Sequence, residues 1–513
     1  MIAILDYGSQ YSQLIARRIR ECNVYCELLS HDLDLEKLKE KNLEGIILSG
    51  GPSSVYEEGA PSMDKAILES GVPVLGICYG MQLIVHLLGG KVEQESEKRE
   101  YGTSTLTCDN DTPLFVHLPE ELTAWMSHGD SCSKLPENFI QIAETSSIPH
   151  AAIMHKSKPV YGVQFHPEVT HTDFGMDIIK NFIFNICEAK PDWTMSHYIE
   201  QEINEIRSLV GSENVLLGLS GGVDSTTVAA LMHRAIGDQL TCMFIDQGFM
   251  RKDEAKHIVT EISKYLKIRL VHIDASAIFF ERLKGVSDPE EKRKIIGNEF
   301  ITTFERESRK LGDYKFLAQG TLYPDVIESA VAGGTQAKTA VTIKTHHNVG
   351  GLPEKMNFKL IEPLRFLFKD EVRKLALELG VHNDLVFRHP FPGPGLAIRI
   401  LGEVTESKVK TLQLADHILI EELRRSGWYD KSWQALAVLL PVKTVGVMGD
   451  MRTYAWTCAI RVVSSDDAMT AIWTRLPYEL LDRISTRIVN EVPDINRVVY
   501  DITSKPPGTI EWE

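Results

Sequence analysis

The 513-residue sequence contains no Cys-x-x-Cys pair and no Cys/His cluster at zinc spacing, although eight cysteines are scattered along it. That pattern argues against a zinc ribbon or a thioredoxin-like centre. It suits a reduced, cytoplasmic chain whose cysteines are mostly buried filler. No apolar run approaches about 18 residues, so no membrane span is expected. Met1 to Tyr7 lacks the basic lead-in and long apolar stretch of a signal peptide and reads as a short buried strand. Basic residues are in deficit, 55 Lys+Arg against 71 Asp+Glu, for a formal net charge of −16. A protein devoted to gripping nucleic acid needs a basic footprint, so that class is set aside. Internal repeats and low-complexity tracts are missing too.

What remains is ordinary material for folding: 43% hydrophobic and 25% charged residues, in a length that implies roughly two to four domains. Charge is unevenly placed. Residues 1–190 hold 27 acidic and 15 basic side chains, whereas residues 251–400 hold 20 and 25. The acidity belongs to the first third, and a mildly basic stretch lies mid-chain, where anionic small ligands would find local positive charge.

Short apolar runs at Ile2–Asp6, Gly45–Ser49, Val72–Cys78 and Val160–His166 alternate with helical spacing at 12–21 and 81–88. Strands alternating with helices predict a mainly parallel sheet covered on both faces. A helix over 177–188 closes this unit at Lys190-Pro-Asp192. A second α/β unit starts with helix 195–209, strand 214–219, a glycine turn, helix 225–235 and strand 240–246. Residues 320–352, rich in Gly, Thr and His, read as a long functional loop. Helix 369–379 ends at Gly380. After Phe391-Pro-Gly-Pro-Gly395, alternating runs at 396–401, 445–448 and 455–463 with helices near 405–426 and 466–490 predict an α+β domain. The fold class expected is thus α/β: two consecutive doubly wound parallel-sheet domains followed by a smaller α+β domain, with boundaries at 1–190, 191–388 and 389–513.

Gly76-Ile-Cys-Tyr-Gly80 stands between a predicted strand and a predicted helix, the context of a nucleophile elbow. The helix N-terminus favours a thiolate at Cys78, and neighbouring backbone N–H groups can hold an oxyanion. Taken alone the match is weak, and a buried structural cysteine is the commoner explanation. His166-Pro-Glu168 strengthens the catalytic reading, because residues i and i+2 of an extended segment share a face. His166 can then serve as general base with Glu168 orienting it. With these residues in place, 1–190 resembles a class I glutamine amidotransferase. The resemblance implies a γ-glutamyl thioester on Cys78, oxyanion N–H groups at Gly51 and Tyr79, and Gln82 lining the glutamine pocket.

Ser220-Gly-Gly-Val-Asp-Ser-Thr226 follows a predicted strand and opens a helix, which suits close approach of backbone to phosphates. It lacks the Gly-Lys-Ser/Thr ending of a Walker A loop. It resembles the loop of N-type ATP pyrophosphatases, and that resemblance implies ATP binding by Ser220, Gly221, Gly222, Val223, Asp224, Ser225 and Thr226. Asp246, ending the next strand, either faces this crevice or caps a turn. Asp224 is a candidate Mg²⁺ ligand.

Ammonia release joined to AMP transfer in one chain resembles the glutamine-hydrolysing GMP synthase family along the whole length. Later segments carry that likeness: Gln319-Gly-Thr-Leu-Tyr-Pro-Asp325, Lys344 to Pro353, Met448 to Tyr454, and Lys505-Pro-Pro-Gly-Thr-Ile-Glu-Trp-Glu513. The family implies ATP and Mg²⁺ as cofactors, glutamine and XMP as small-molecule substrates, and a cytoplasmic homodimer without nucleic-acid or membrane partners. It also implies XMP contacts from Arg399, Lys505, Ile510 and Glu511. Arg399 and Lys505 suit a 5′-phosphate, and Glu511 suits the purine edge; a solvated charge and a disordered tail are the plainer explanations. Loop lysines Lys338 and Lys344 would clamp anionic ligands, and the His346-His347 pair, with no third ligand nearby in sequence, suits a lid better than a metal. An RNA-modifying pyrophosphatase would need a basic surface. A non-catalytic regulator would not need an intact Cys78, His166 and Glu168.

Overall fold

In the computed structural model, residues 1–94, 99–326, 358–448, 450–465 and 470–513 are described. They form two compact units, Met1–Tyr198 and Ile199–Glu513.

The first unit is built on a nine-stranded sheet. Five strands run parallel in the order Cys26–Ser30, Ile2–Asp6, Gly45–Leu48, Val74–Ile77 and Val160–Val163. Ile2, Ala3, Ile4 and Leu5 are all fully buried. Such continuous apolar runs, rather than alternating ones, are what a parallel sheet covered on both faces demands. The parallel half matches the sequence reading. The other half differs: Ala152–His155, Phe139–Thr145, Glu100–Cys108 and Glu121–His128 extend the sheet antiparallel. Glu121–His128 alternates buried and part-exposed residues, the pattern of a sheet with one wet face.

Helix Tyr79–Leu87 is buried along most of its length. It presses so closely on the sheet that a Cβ at Gly80 would lie 2.5 Å from the Leu48 carbonyl oxygen. The helix expected over 177–188 is a helical turn, Gly175–Lys180, that widens into a π-helical turn over Asn181–Ile186.

The second unit holds a five-stranded all-parallel sheet in the order Arg269–Asp274, Leu240–Asp246, Val215–Gly218, Phe316–Ala318, Lys359–Ile361. Its last third is a sheet of Gln434–Met448, Met451–Ser464 and Ile472–Trp473, with Ile495–Tyr500 parallel to the second of these. Helices Glu406–Arg425 and Tyr478–Glu491 supply Leu412, Leu419, Leu480 and Ile484 to the core, which continues through Leu216, Met243 and Phe279. Residues on both sides of position 388 therefore fill one hydrophobic core.

Two local expectations fail here. Residues 396–399 do not extend; Gly395–Arg399 is a buried 3₁₀ turn that opens on Gly395 at φ +62°, and extended backbone returns only at Ile400, which bridges in parallel to Leu439. The helix expected from 466 begins only at Tyr478, after Ile472–Trp473 has paired with Val463 and Ser464. Lys338, Lys344, His346 and His347 lie outside the described residues.

Gly80→Ala should raise helix propensity by about 1 kcal/mol yet destabilise the protein by about 1–3 kcal/mol, because backbone cannot yield as a side chain can. Urea unfolding monitored in the first unit measures the balance.

Candidate active site

Cys78 joins strand Val74–Ile77 to helix Tyr79–Leu87 with φ 52° and ψ −105°. For a side chain other than glycine that backbone is strained, and surrounding packing must hold it. Gly76 is part of the hold: a Cβ there would stand 2.5 Å from the Gly80 carbonyl carbon. The turn places the thiol at the head of the helix. Tyr79, its first residue, has an N–H with no intrahelical acceptor, as expected of an oxyanion donor.

His166 lies beyond strand Val160–Val163, and its Nδ1 is 2.7 Å from Glu168 Oε1. The Cys78 sulfur accepts from Gln164 Nε2 at 3.7 Å and also acts electrostatically on the His166 ring. Burial alone opposes a charge on this imidazole. The Glu168 carboxylate and the Cys78 sulfur outweigh it and hold the His166 pKa well above its ordinary value. Cys78, His166 and Glu168 are thus brought together as the sequence implied, with Glu168 1% exposed.

A cavity of about 530 Å³ opens onto Cys78 and His166, with Gly51 and Gln82 in its wall. The Gln82 amide donates to the Asp130 carbonyl at 2.9 Å and to Gln164 Oε1 at 3.3 Å. The Asp130 carboxylate accepts from Ser54 Oγ at 2.5 Å and Tyr56 Oη at 3.1 Å. Sequence reading missed Asp130, Ser54 and Gln164. The signal was Ser127-His-Gly-Asp130, a turn at the end of an alternating strand that the parallel reading passed over.

In the second unit, Ser220–Thr226 connects strand Val215–Gly218 to helix Val223–Ile236. Gly221 has φ +76°, and a Cβ there would meet Ile258 at 2.4 Å. Ser220 and Ser225 lock the loop to itself, Oγ to Oγ at 3.0 Å, and Ser220 Oγ accepts from the Gly222 N–H at 3.3 Å. The Thr226 hydroxyl is buried with no partner among the described residues. Both Asp224 oxygens accept from Lys369 Nζ, at 2.6 and 2.5 Å. Arg388 donates to the Gly221 carbonyl at 3.1 Å and to Glu254; burial and neighbouring Arg251 lower its pKa to about 10. Lys369 and Arg388 were not singled out in sequence, because a lone cation on a helix or after a loop carries no pattern. Of the two roles weighed for Asp246, the turn cap is seen: Oδ1 accepts from the Gly248 N–H at 2.8 Å, whereas the cavity of about 400 Å³ that the residue lines includes none of Ser220–Thr226.

At the C-terminus, Arg399 and Glu511 meet each other. Arg399 is fully buried and grips both Glu511 oxygens, at 3.0 and 2.8 Å. The fork expected to face a phosphate is taken by a carboxylate, since a buried guanidinium must be paired. Gln434 adds a third hydrogen bond to Glu511, at 2.7 Å. Ile510 packs against Leu436, Val438 and Ala459, and Lys505 pairs main chain to main chain with Ala471, at 2.7 and 3.0 Å.

Curated proteins cover the whole chain. A GMP synthase [glutamine-hydrolyzing] of Carboxydothermus hydrogenoformans is 58% identical over 512 residues, spanning 100% of this chain and 99% of the relative. One of Gloeobacter violaceus is also 58% identical, over 100% of this chain and 94% of its own length. The chain belongs to the glutamine-hydrolysing GMP synthase family. Within it, residues 3–186 match the family described as Glutamine amidotransferase class-I, residues 194–298 match NAD synthase, and residues 421–512 match GMP synthase C terminal domain. The GMP synthase likeness read from the first constellation, the Ser-Gly-Gly loop and the tail is thus matched along the whole chain.

Folding raises the His166 pKa, so this pair stabilises the protein fully below about 6.5, the unfolded value, and the gain is lost as pH rises through the folded value. Glu168→Gln should therefore cost most stability in acidic and neutral buffer, with the difference shrinking toward alkaline pH. The same variant should move the alkaline limb of kcat/KM for glutamine to lower pH, read from glutamate release.

Proposed function

We propose that this chain makes GMP from XMP, ATP and glutamine, on the strength of one observation above others: a strained Cys78 paired with a charged-capable His166 shares a chain with an ATP-pyrophosphatase loop. The amidotransferase chemistry runs over 1–190, the ATP chemistry over 191–388, and XMP binding and homodimer formation over 389–513. The substrates of this reaction are small molecules, and a cytoplasmic enzyme fits it.

Cys78 Sγ attacks the glutamine side-chain carbonyl carbon, and the oxyanion is received by the N–H groups of Gly51 and Tyr79. His166 gives a proton to the leaving nitrogen, ammonia departs, and water activated by His166 releases glutamate from the thioester. Gln82 and Asp130 hold the ends of the substrate that do not react. In the other reaction, the 2-oxo oxygen of XMP attacks the α-phosphorus of ATP and pyrophosphate leaves. Ammonia then attacks C2, and AMP departs with the oxygen. Adenylation is needed because a purine oxo group is itself a poor leaving group.

Ser220 to Thr226 offer helix-terminal N–H groups to the phosphates, and Asp246 borders the nucleotide crevice. Asp224 fits Mg²⁺, an ion that typically takes one or two carboxylates and completes its shell with substrate phosphates and water. When bound there, it would neutralise charge on the departing pyrophosphate. Lys369 holds the Asp224 carboxylate in place in the meantime. Glu511, oriented by Arg399 and Gln434, accepts from the purine edge; Lys505 takes the 5′-phosphate; Ile510 supplies apolar contact. Arg399 thus acts on XMP through Glu511.

The test follows XMP-dependent pyrophosphate release and GMP formation with glutamine and then with an ammonium salt. Cys78→Ala should lose glutamine-dependent GMP formation by at least about 10³-fold and retain the ammonia-dependent rate. Glutamine-dependent synthesis at the wild-type rate would remove Cys78 as nucleophile.

A further inference from the structure

The last thirteen residues follow strand Ile495–Tyr500 without regular structure, yet buried cations hold them in place. Arg461 is the most heavily engaged. It sits mid-strand in Met451–Ser464 and is 1% exposed. Its Nε donates to the Ile510 carbonyl at 2.9 Å, and its Nη2 donates to the Thr509 carbonyl at 2.9 Å. Its Nη1 donates to the Thr503 carbonyl and to Asp501 Oδ2, both at 2.8 Å. Trp512 Nε1 closes on the same Asp501 oxygen at 2.9 Å. Farther along, Lys292, fully buried, reaches Glu513 Oε2 at 2.5 Å and the Ile400 carbonyl at 2.7 Å.

These contacts have a common geometry. Arg461 touches three main-chain carbonyls and one carboxylate of the tail. Two of the carbonyls, Thr509 and Ile510, immediately precede Glu511, and the third lies two residues before Lys505. One planar fork therefore fixes how far Lys505 stands from the Ile510–Glu511 pair. No lysine could do the same, because an ammonium concentrates its donors at one point, whereas a guanidinium spreads five over a rigid plane. The burial is costly for a bare charge, and each of its three nitrogens donates to the tail.

We propose that Arg461 is a positioning residue of the XMP site: it acts on the substrate through the tail backbone, setting the register between the group that takes the 5′-phosphate and the group that takes the purine. This inference rests on the reading that Lys505 and Glu511 contact XMP. It predicts an effect on XMP that ATP and glutamine do not share.

The experiment uses the full chain, with Arg461→Lys and Lys505→Gln assayed side by side for ammonia-dependent GMP formation. Arg461→Lys should raise KM for XMP about tenfold or more, as expected when recognition groups shift by a fraction of an ångström. KM for ATP and the rate of glutamate release should stay within about twofold of wild type, a split that general destabilisation would not produce. Amide hydrogen exchange over 503–513 should quicken in the same variant while the rest of the second unit keeps its protection. If Arg461→Lys fails to fold, Asp501→Asn weakens one end of the clamp and leaves the carbonyl bonds; it should raise KM for XMP about two- to fivefold. If Lys505→Gln leaves KM for XMP unchanged, the assignment of the XMP contacts fails. If Lys505→Gln raises it while the Arg461 or Asp501 variant does not, or if XMP and ATP are affected alike, the positioning role is overturned.

Discussion

Parallel strands deliver every chain end to one edge of a sheet, and helix N-termini gather at the same edge. Both loops assigned to chemistry stand on such edges. Val74–Ile77 ends in Cys78, and Val215–Gly218 ends in Ser220. In each case the next residues open a helix, so unpaired N–H groups and a positive dipole end meet the reacting group. At Cys78 this arrangement exacts backbone strain, which the close contacts of Gly76 and Gly80 with their neighbours sustain. At Ser220 no comparable strain is placed on a bulky residue; the left-handed position falls on Gly221. The difference follows from task. A nucleophile must project a side chain from the turn, whereas a phosphate cradle needs only backbone.

The net charge of −16 conceals a set of buried pairings that do more than balance it. His166 with Glu168, Arg388 with Glu254 and Arg399 with Glu511 each place a cation where water cannot solvate it. Such pairs gain little over an apolar replacement of both members, yet removing one member leaves a buried charge uncompensated and is costly. In the first, the carboxylate secures a protonated imidazole facing the Cys78 sulfur. In the last, a guanidinium fork makes Glu511 present a fixed acceptor, because both of its oxygens are already oriented.

Much of this was legible in the sequence, for identifiable reasons. The parallel strands announce themselves because both faces are buried, so Ile2–Asp6 and Leu240–Asp246 are continuous apolar runs found at their predicted bounds. The elbow and the phosphate loop are legible because their glycines are demanded by contacts shorter than a Cβ allows. The antiparallel wing from Glu100 to His155 was not, since its strands alternate, are polar at the edges and interrupt an otherwise helical rhythm. Asp130 went unseen with it. Residues such as Lys369, Arg388 and Arg461 stayed silent because a single cation has no period, and only tertiary structure shows which acceptors surround it.

Arg399 and Glu511 show where sequence reasoning reaches its limit. Separated by 112 residues, each was plausible alone as a substrate contact, one for phosphate and one for the purine. Together they satisfy each other, and an acid and a base so joined cannot both be offered to a ligand at full strength. Glu511 retains acceptor capacity after two hydrogen bonds from Arg399 and one from Gln434, because an ionised carboxylate has about four lone-pair sites. Arg399, wholly buried, has no open face. The pair therefore divides the work: the carboxylate keeps its acceptor capacity and the arginine keeps it ionised, with burial working against the charge and the arginine lowering the Glu511 pKa. On the proposed reading, recognition of the phosphate would fall to Lys505, and the distance between the two ends of XMP would be set by the tail backbone.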